Sequence, residues 1–202
     1  MWEFRPTSFE MGGKVLGLVG FGNIGQEVAR RARAFGTDVL YHDEVRREGA
    51  EQELGASYTP LPALLQRADI VSLHVPLTPL TRHLIGAVEL GMMKQGALLI
   101  NVARGGVVDE GELTEALREG RISGAALDVW ESEPVHPENP LLQLENVITT
   151  PHVGAGTRDT LSRVLGMAFE NIRRVSQGGS PHHVVNEVGS SPDQREKEWQ
   201  RL

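Results

Sequence analysis

The chain has no cysteine among its 202 residues, and its basic side chains are fewer than its acidic ones. Without cysteine it forms no disulfide, no thiolate metal site and no cysteine nucleophile, which fits a reducing compartment. Its 20 Lys and Arg against 27 Asp and Glu give a net charge of −7. Nucleic-acid binding needs clustered basic residues, so this charge argues against a nucleic-acid partner.

Long apolar runs are also lacking. No run approaches the roughly 18 apolar residues of a membrane-spanning helix, which argues against a membrane partner. The opening residues MWEFRPTSFE have neither the basic nor the apolar region of a signal peptide. We therefore expect a cytoplasmic protein.

Glycine is abundant, with 23 residues, and short apolar runs alternate with helical patterns. Nearly continuous apolar runs are typical of strands in a parallel sheet that is covered on both faces. The alternation predicts an α/β fold with a doubly wound parallel sheet of about six or seven strands. The predicted strands are KVLGLV, DVLYH, DIVSLHV, ALLINV, ISGAALDV and NVITT.

Three helices can be bounded from the sequence. Apolar spacing predicts one helix over residues 23–35, with Gly36 as its stop. Asp109 is expected to cap a second helix, with Glu112 as its capping-box partner. A long helix is expected over residues 157–175.

The segment VLGLVGFGNIGQEVA places Gly20, Gly22 and Gly25 directly after a predicted strand and at the start of a predicted helix. In that context, G-x-G-x-x-G is the fingerprint of a dinucleotide-binding Rossmann domain. The first glycine permits a tight turn, the second lets the backbone approach a pyrophosphate, and the third lets the helix pack closely. The amides of Asn23 and Ile24 are expected to point at the phosphates.

Asp43 ends the second predicted strand, 18 residues beyond Gly25. An acidic residue about 20 residues past the glycines binds the ribose hydroxyls of NAD, and its charge repels the 2′-phosphate of NADP. The sequence therefore predicts NAD as the cofactor, although Arg46 and Arg47 could soften this discrimination. The alternative is that Asp43 is only a turn residue and the glycines only a tight connection.

Four polar residues lie at or beyond the ends of later predicted strands, namely Arg104, Asp128, Glu133 and His152. Ligands of open α/β sheets bind at the carboxyl ends of the strands, so these residues are expected to converge on one crevice. Their chemistry suits hydride transfer at a 2-hydroxy or 2-keto acid. An arginine grips a carboxylate, a histidine moves the hydroxyl proton, and a carboxylate holds that histidine in its charged form.

Each of these residues also has a simpler interpretation. Arg104, before two turn glycines, is compatible with a surface arginine, and Asp128 with a cap at the strand exit. Glu133 lies in an acidic loop, and His152 is compatible with a buried structural histidine. No metal site is predicted, because the histidine pair near the C-terminus lacks a partner at metal-ligand spacing.

The chain resembles the D-isomer-specific 2-hydroxyacid dehydrogenase family from about Gly12 to Asn186. The resemblance rests on five motifs in the family's order and spacing, GFGNIG, DIVSLHVPLTPLTRHLI, LLINVARGGVVDE, GAALDVWESEP and NVITTPHVGAGT. It implies hydride transfer between NAD and a small-molecule 2-hydroxy or 2-keto acid of the phosphoglycerate, hydroxypyruvate or glyoxylate class.

The resemblance also implies roles for individual residues. Arg104 resembles the family's substrate-binding arginine, His152 its catalytic histidine, and Glu133 the glutamate that pairs with this histidine. Asp128 resembles the aspartate that contacts the nicotinamide carboxamide, and Arg104 and His152 are expected to touch the cofactor too. Further cofactor contacts are implied at Val75, Pro76, Val102, Ala103 and Gly154.

Family members usually begin with most of a substrate domain, which this sequence lacks before Lys14. The resemblance implies an entry segment at 1–13, a dinucleotide-binding Rossmann domain at 14–156, a C-terminal helix and return segment at 157–186, and a polar tail at 187–202. Closure of two domains excludes water, so turnover by this chain alone is expected to be poor. The alternative is an NAD-binding module without turnover, similar to the family's corepressors. A homodimer is the expected assembly.

Overall fold

The structure is a computed structural model that describes residues 8–184. Within that range seven short strands form one sheet, and neighbouring strands pair in parallel. The strands are β1 (Val15–Val19), β2 (Asp38–His42), β3 (Ala56–Tyr58), β4 (Ile70–Leu73), β5 (Leu98–Asn101), β6 (Gly124–Leu127) and β7 (Val147–Thr149). Their order across the sheet is β3-β2-β1-β4-β5-β6-β7. The predicted doubly wound parallel sheet is confirmed.

Six α-helices accompany these strands within residues 8–184. They are α1 (Asn23–Ala34), α2 (Glu48–Leu54), α3 (Leu61–Arg67), α4 (Ala87–Met92), α5 (Glu110–Arg118) and α6 (Arg158–Ser176), and 3₁₀ turns lie at Gly105–Val107 and Pro140–Gln143. None of the helices in this part of the chain combines the length and the hydropathy that crossing a bilayer requires.

The observed helix ends lie close to the predicted ones. Helix α1 ends just before Gly36, which has a φ of +75°, and Thr157 caps α6. Asp109 caps α5, because its side chain accepts a hydrogen bond from the Glu112 amide at 3.0 Å. The Asp109 amide donates to the carbonyl of Ile85 instead of to Glu112, so only half of the capping box forms.

Apolar layers cover both faces of the sheet. On β1, Leu16 and Leu18 belong to the cluster that contains Ala29 of α1, whereas Val19 belongs to the cluster that contains Leu64 of α3. Successive strand residues point to opposite faces, so α1 and α3 lie on opposite sides of the sheet. A Cβ on Gly17 would lie 2.5 Å from Leu64 Cδ2. Glycine at this position therefore lets α3 approach the strand closely.

The edge strand β3 is the strand that the sequence pattern does not predict. It has three residues, of which only Ala56 is buried, and it pairs with β2 alone. Three residues with a single buried side chain give no alternation long enough to recognise.

The chain divides into two units, residues 1–154 and 155–202. The first contains the sheet. In the second, α6 is amphipathic but has no buried residue, and its Phe169 and Ile172 are 67% and 64% exposed. The end of the predicted return segment beyond Val184, the predicted polar tail at 187–202 and residues 1–7 of the predicted entry segment lie outside the described residues.

Candidate functional site

The loop between β1 and α1 makes the tight turn that its glycines predict. Gly20 has a φ of +96°, and a Cβ on it would lie 2.7 Å from the backbone of His74. A Cβ on Gly25 would lie 2.3 Å from the carbonyl oxygen of Gly20. Both positions therefore require glycine for the fold itself.

Gly22 is different, because a Cβ there would meet no atom within 4 Å. It immediately precedes α1, whose first turn includes Asn23 and Ile24 and receives no side-chain cap. Uncapped amides at a helix N-terminus form a site for anions. The open space above Gly22 and these amides fits the pyrophosphate of a dinucleotide.

Asp43 follows β2 and faces the glycine loop. Its Oδ2 accepts a hydrogen bond from the Phe21 amide at 2.6 Å, and its Oδ1 accepts one from the Val45 amide at 3.1 Å. Two backbone amides therefore hold the carboxylate in place. A carboxylate has about four acceptor positions, so it can still accept hydrogen bonds from ribose hydroxyls.

A cleft of about 530 Å³ lies beside the glycine loop. His74 lies in the wall of this cleft, and burial lowers its pKa to about 4, so the ring is neutral at physiological pH. The Nε2 of His74 lies 3.0 Å from Ser72 Oγ. The cleft is lined by Ile24, His74, Val75, Pro76, Leu77, Val102, Ala103 and Arg104.

A second cleft, of about 360 Å³, shares Leu77 and Arg104 with the first. Arg104 therefore borders both clefts. Side chains that are far apart in the sequence meet here because the loops after β5, β6 and β7 adjoin at one edge of the sheet. The second cleft is lined by Leu77, Arg82, Arg104, Gly105, Gly106, Trp130, Glu131, Glu133 and His152.

His152 and Glu133 form a hydrogen-bonded pair in this second cleft. His152 Nδ1 lies 2.7 Å from Glu133 Oε2, and Glu133 Oε1 accepts the Trp130 amide at 3.1 Å. The hydrogen bond with His152, followed by that from Trp130, lowers the pKa of Glu133, which is therefore ionised at neutral pH. With Nδ1 held by a carboxylate, Nε2 is the ring nitrogen that remains for proton transfer.

The backbone of His152 has a φ of +56°, in the left-handed region. A residue with a Cβ is uncommon in this region, and such strained positions are often found at functional sites. The exposed imidazole is thus presented from a backbone conformation that the loop after β7 imposes.

Asp128 connects the end of β6 to the loop that carries His152. This buried carboxylate accepts hydrogen bonds from Thr150 Oγ1 at 2.5 Å, from the Val153 amide at 2.9 Å and from the Gly154 amide at 2.8 Å. Burial acts to raise the pKa of Asp128, but the three hydrogen bonds outweigh burial and lower it. Asp128 therefore fixes the position of the His152 loop.

An Asp128→Asn variant is expected to lose about 1 to 3 kcal/mol of unfolding free energy at neutral pH. The NH2 group of asparagine cannot accept a hydrogen bond, so at least one of the donors to Asp128 loses its partner. Denaturant unfolding measures this loss, with Asp38→Asn as an exposed control. The carboxylate's contribution is complete well above its ordinary pKa of 3.8 and is lost as the pH falls below that value towards the lowered one. Because the variant lacks this carboxylate, its unfolding free energy should fall less on acidification than that of the wild-type protein. Equal stability of both proteins at neutral pH would contradict this role.

Three residues near the second cleft carry no sequence signal that singles them out. Arg82 and Glu131 line it, and Glu131 Oε1 lies 2.9 Å from Nε2 of His83, which also approaches Asp109 Oδ2 at 3.5 Å through Nδ1. His83 has a φ of +50°. These residues lie in loops without periodicity, so the available signal is only their position within the motifs DIVSLHVPLTPLTRHLI and GAALDVWESEP.

Residues 1–154 match a protein family that is described as "D-isomer specific 2-hydroxyacid dehydrogenase, NAD binding domain". The chain belongs to this family. Its sequence is 49% identical over 179 residues to a glyoxylate reductase of Korarchaeum cryptofilum, covering 89% of this chain and 54% of that protein. It is 45% identical over 183 residues to a D-3-phosphoglycerate dehydrogenase of Methanocaldococcus jannaschii, and the match covers 90% of this chain and 35% of that protein.

Solved structures agree with this membership of the 2-hydroxyacid dehydrogenase family. The crystal structure of D-lactate dehydrogenase with NAD+ from Lactobacillus jensenii has a TM-score of 0.82 and 32% identity, covering 89% of this chain and 58% of that one. The predicted family and its NAD-binding domain are thereby confirmed. The chain spans about half the length of the glyoxylate reductases that it matches.

Proposed function

We propose that this chain binds NAD and takes part in hydride transfer between nicotinamide and a 2-hydroxy or 2-keto acid of the glyoxylate, hydroxypyruvate or phosphoglycerate class. The observation that carries the proposal is the position of Arg104, which borders both the cleft beside the glycine loop and the cleft that holds the His152–Glu133 pair. A cation for a carboxylate and a proton carrier thus lie beside the cleft in which the cofactor would bind.

The residues around the first cleft fit NAD, which supplies the hydride acceptor or donor at nicotinamide C4. Gly20, Gly22 and Gly25, with the amides of Asn23 and Ile24, would hold the pyrophosphate. The remaining residues proposed to hold the cofactor are Asp43, Val75, Pro76, Val102, Ala103, Arg104, Asp128, His152 and Gly154.

The substrate steps use the residues of the second cleft. Arg104 binds the substrate carboxylate and polarises the neighbouring carbonyl. Its Nη1 donates to the Ala103 carbonyl at 2.6 Å, which orients the guanidinium and leaves other N–H groups for substrate. Nε2 of His152 donates a proton to the substrate oxygen in reduction and accepts one in oxidation, while Glu133 stabilises the imidazolium.

The same proposal covers the chain's organisation: an entry segment at 1–13, the Rossmann domain at 14–156, a helix and return segment at 157–186, and a tail at 187–202. The exposed apolar side chains of α6 support a return segment that packs on further protein. The homodimer and the cytoplasmic location remain predictions.

Fluorescence titration with NADH tests the cofactor part of the proposal. A Gly22→Ala variant is expected to bind NADH at least about tenfold more weakly, or about 1.4 kcal/mol, because its methyl group occupies the space proposed for the pyrophosphate. Its stability should fall by no more than about 1 kcal/mol, since that methyl group meets no atom of the protein within 4 Å and alanine is only a poorer N-cap of α1 than glycine. Gly91→Ala is the control, because a Cβ there also meets nothing within 4 Å.

Two outcomes would count against these assignments. Unchanged NADH affinity in Gly22→Ala would exclude the proposed pyrophosphate position. Absence of NADH binding by the wild-type chain would overturn the proposed function itself.

A further inference from the structure

The loop after β2 carries Arg46 and Arg47, three and four residues beyond Asp43. A guanidinium near the ribose is the group that binds the 2′-phosphate of NADP in dinucleotide-binding domains. Whether these arginines weaken the preference for NAD therefore depends on whether their guanidinium groups are free.

Arg46 is not free, because Glu51 of α2 binds it through both carboxylate oxygens. Arg46 Nε lies 2.8 Å from Glu51 Oε1, and Arg46 Nη2 lies 3.0 Å from Glu51 Oε2. This fork-to-fork geometry is the strongest arrangement of an arginine and a carboxylate. The hydrogen bond from Arg46 is the largest cause that lowers the pKa of Glu51 to about 2, so the pair is ionised across the physiological range.

A buried tyrosine anchors this pair. The hydroxyl of Tyr41 donates to Glu51 Oε1 at 2.7 Å and accepts the Arg47 amide at 2.9 Å. The Tyr41 ring is fully buried and stacks on Phe21 of the glycine loop, with ring centres 3.9 Å apart. The Glu51 side chain is itself only 15% exposed. The pair is therefore attached to the core next to the cofactor loop, unlike an isolated surface ion pair.

We propose that Glu51 is a specificity-determining residue, which holds Arg46 in an ion pair and so withholds it from the 2′-phosphate of NADP. This inference rests on the proposed NAD site. Preference for NAD then has two sources: Asp43 repels the phosphate, and Glu51 removes one of the two nearby cations, Arg46, that would offset this repulsion. The Arg47 side chain has no ion pair or hydrogen bond within residues 8–184, so Glu51 does not control it.

Fluorescence titrations of the 202-residue chain with NADH and with NADPH test this role. Glu51→Gln keeps an oxygen that can accept from Tyr41 but removes the charge that holds Arg46. The variant is expected to bind NADPH about fivefold more tightly than the wild-type chain and to bind NADH within about twofold, because only NADPH carries the group that Arg46 binds.

Glu53→Gln is the matched control. Glu53 lies on the same helix and pairs with Arg30 at 2.8 Å, so its replacement removes the same charge without releasing Arg46. NADPH affinity should be unchanged in this control. Arg46→Gln in the wild-type background should also leave it unchanged, whereas Arg46→Gln in the Glu51→Gln background should abolish the gain.

The outcomes separate this inference from the proposed function. Equal NADPH affinities of Glu51→Gln and Glu53→Gln, or a gain that survives Arg46→Gln, would overturn the role of Glu51 while NADH binding stands. Wild-type binding of NADPH as tight as that of NADH would overturn it as well. Failure of the wild-type chain to bind either nucleotide would instead overturn the proposed NAD site.

Discussion

A Gly105→Ala variant is expected to lose about 3 kcal/mol or more of unfolding free energy, because its Cβ has no space. A Cβ at this position would lie 1.8 Å from the carbonyl carbon of Trp130, 2.0 Å from its oxygen and 2.3 Å from the amide nitrogen of Glu131. All three are backbone atoms, so no side-chain rotation relieves the overlap. The loops that carry Arg104 and Glu133 would be forced apart, which would also enlarge the second cleft.

The neighbouring glycine provides the control for this variant. A Cβ on Gly106 would lie 3.4 Å from Leu77 Cδ2 and 3.5 Å from Arg82 Nη1, which are ends of flexible side chains. Gly106→Ala is therefore expected to keep most of the wild-type stability. Denaturant unfolding of the two variants measures the difference, and equal stabilities would contradict the close packing of the two loops.

A His152→Gln variant is expected to lower the rate of NADH oxidation with glyoxylate by about a thousandfold, within the range that positioned acid–base groups contribute. Glutamine can still contact Glu133, but it neither donates nor accepts the proton at physiological pH. The rate is measured by the disappearance of NADH absorbance at saturating NADH and at a high protein concentration, because turnover by this chain alone is expected to be poor. His136→Gln, which changes an exposed histidine, serves as the control and should retain the wild-type rate.

The partner of His152 gives a second comparison in the same assay. Glu133→Gln removes the charge that stabilises the imidazolium but keeps a side chain of the same shape, so we expect a smaller loss than in His152→Gln. A wild-type rate in His152→Gln would rule out its proton-transfer role. NADH binding without oxidation by glyoxylate, hydroxypyruvate or phosphohydroxypyruvate would leave cofactor binding as the function of this chain.

The features predictable from sequence follow either from residues close together in the chain or from the topology of a parallel sheet. The glycine loop is one, because strand, turn and helix constrain Gly20 and Gly25 within a few residues. The meeting of Arg104, Glu133 and His152 around one cleft is another, because parallel strands end at the same edge of the sheet. The roles assigned to these three residues remain predictions.

The features that could not be predicted depend on contacts between side chains. The sequence places Arg46 near Asp43, but only the structure shows that Glu51 already binds it. Likewise, only the structure shows that Asp128, which stays a predicted contact of the nicotinamide, also accepts two amides of the His152 loop. The edge strand β3 has no recognisable sequence pattern, because its three residues bury only Ala56.

The strand order has a consequence for how the chain is made. β1 is synthesised first, β2 and β3 then add on one side of it, and β4 to β7 add in turn on the other. Each strand therefore emerges from the ribosome when the strand beside which it belongs has already been translated. No strand has to wait for a neighbour that is translated later, so the topology does not oppose pairing in the order of translation. The glycine loop and Asp43 belong to the part of the sheet that is translated first, and the loop with His152 to the part that is translated last.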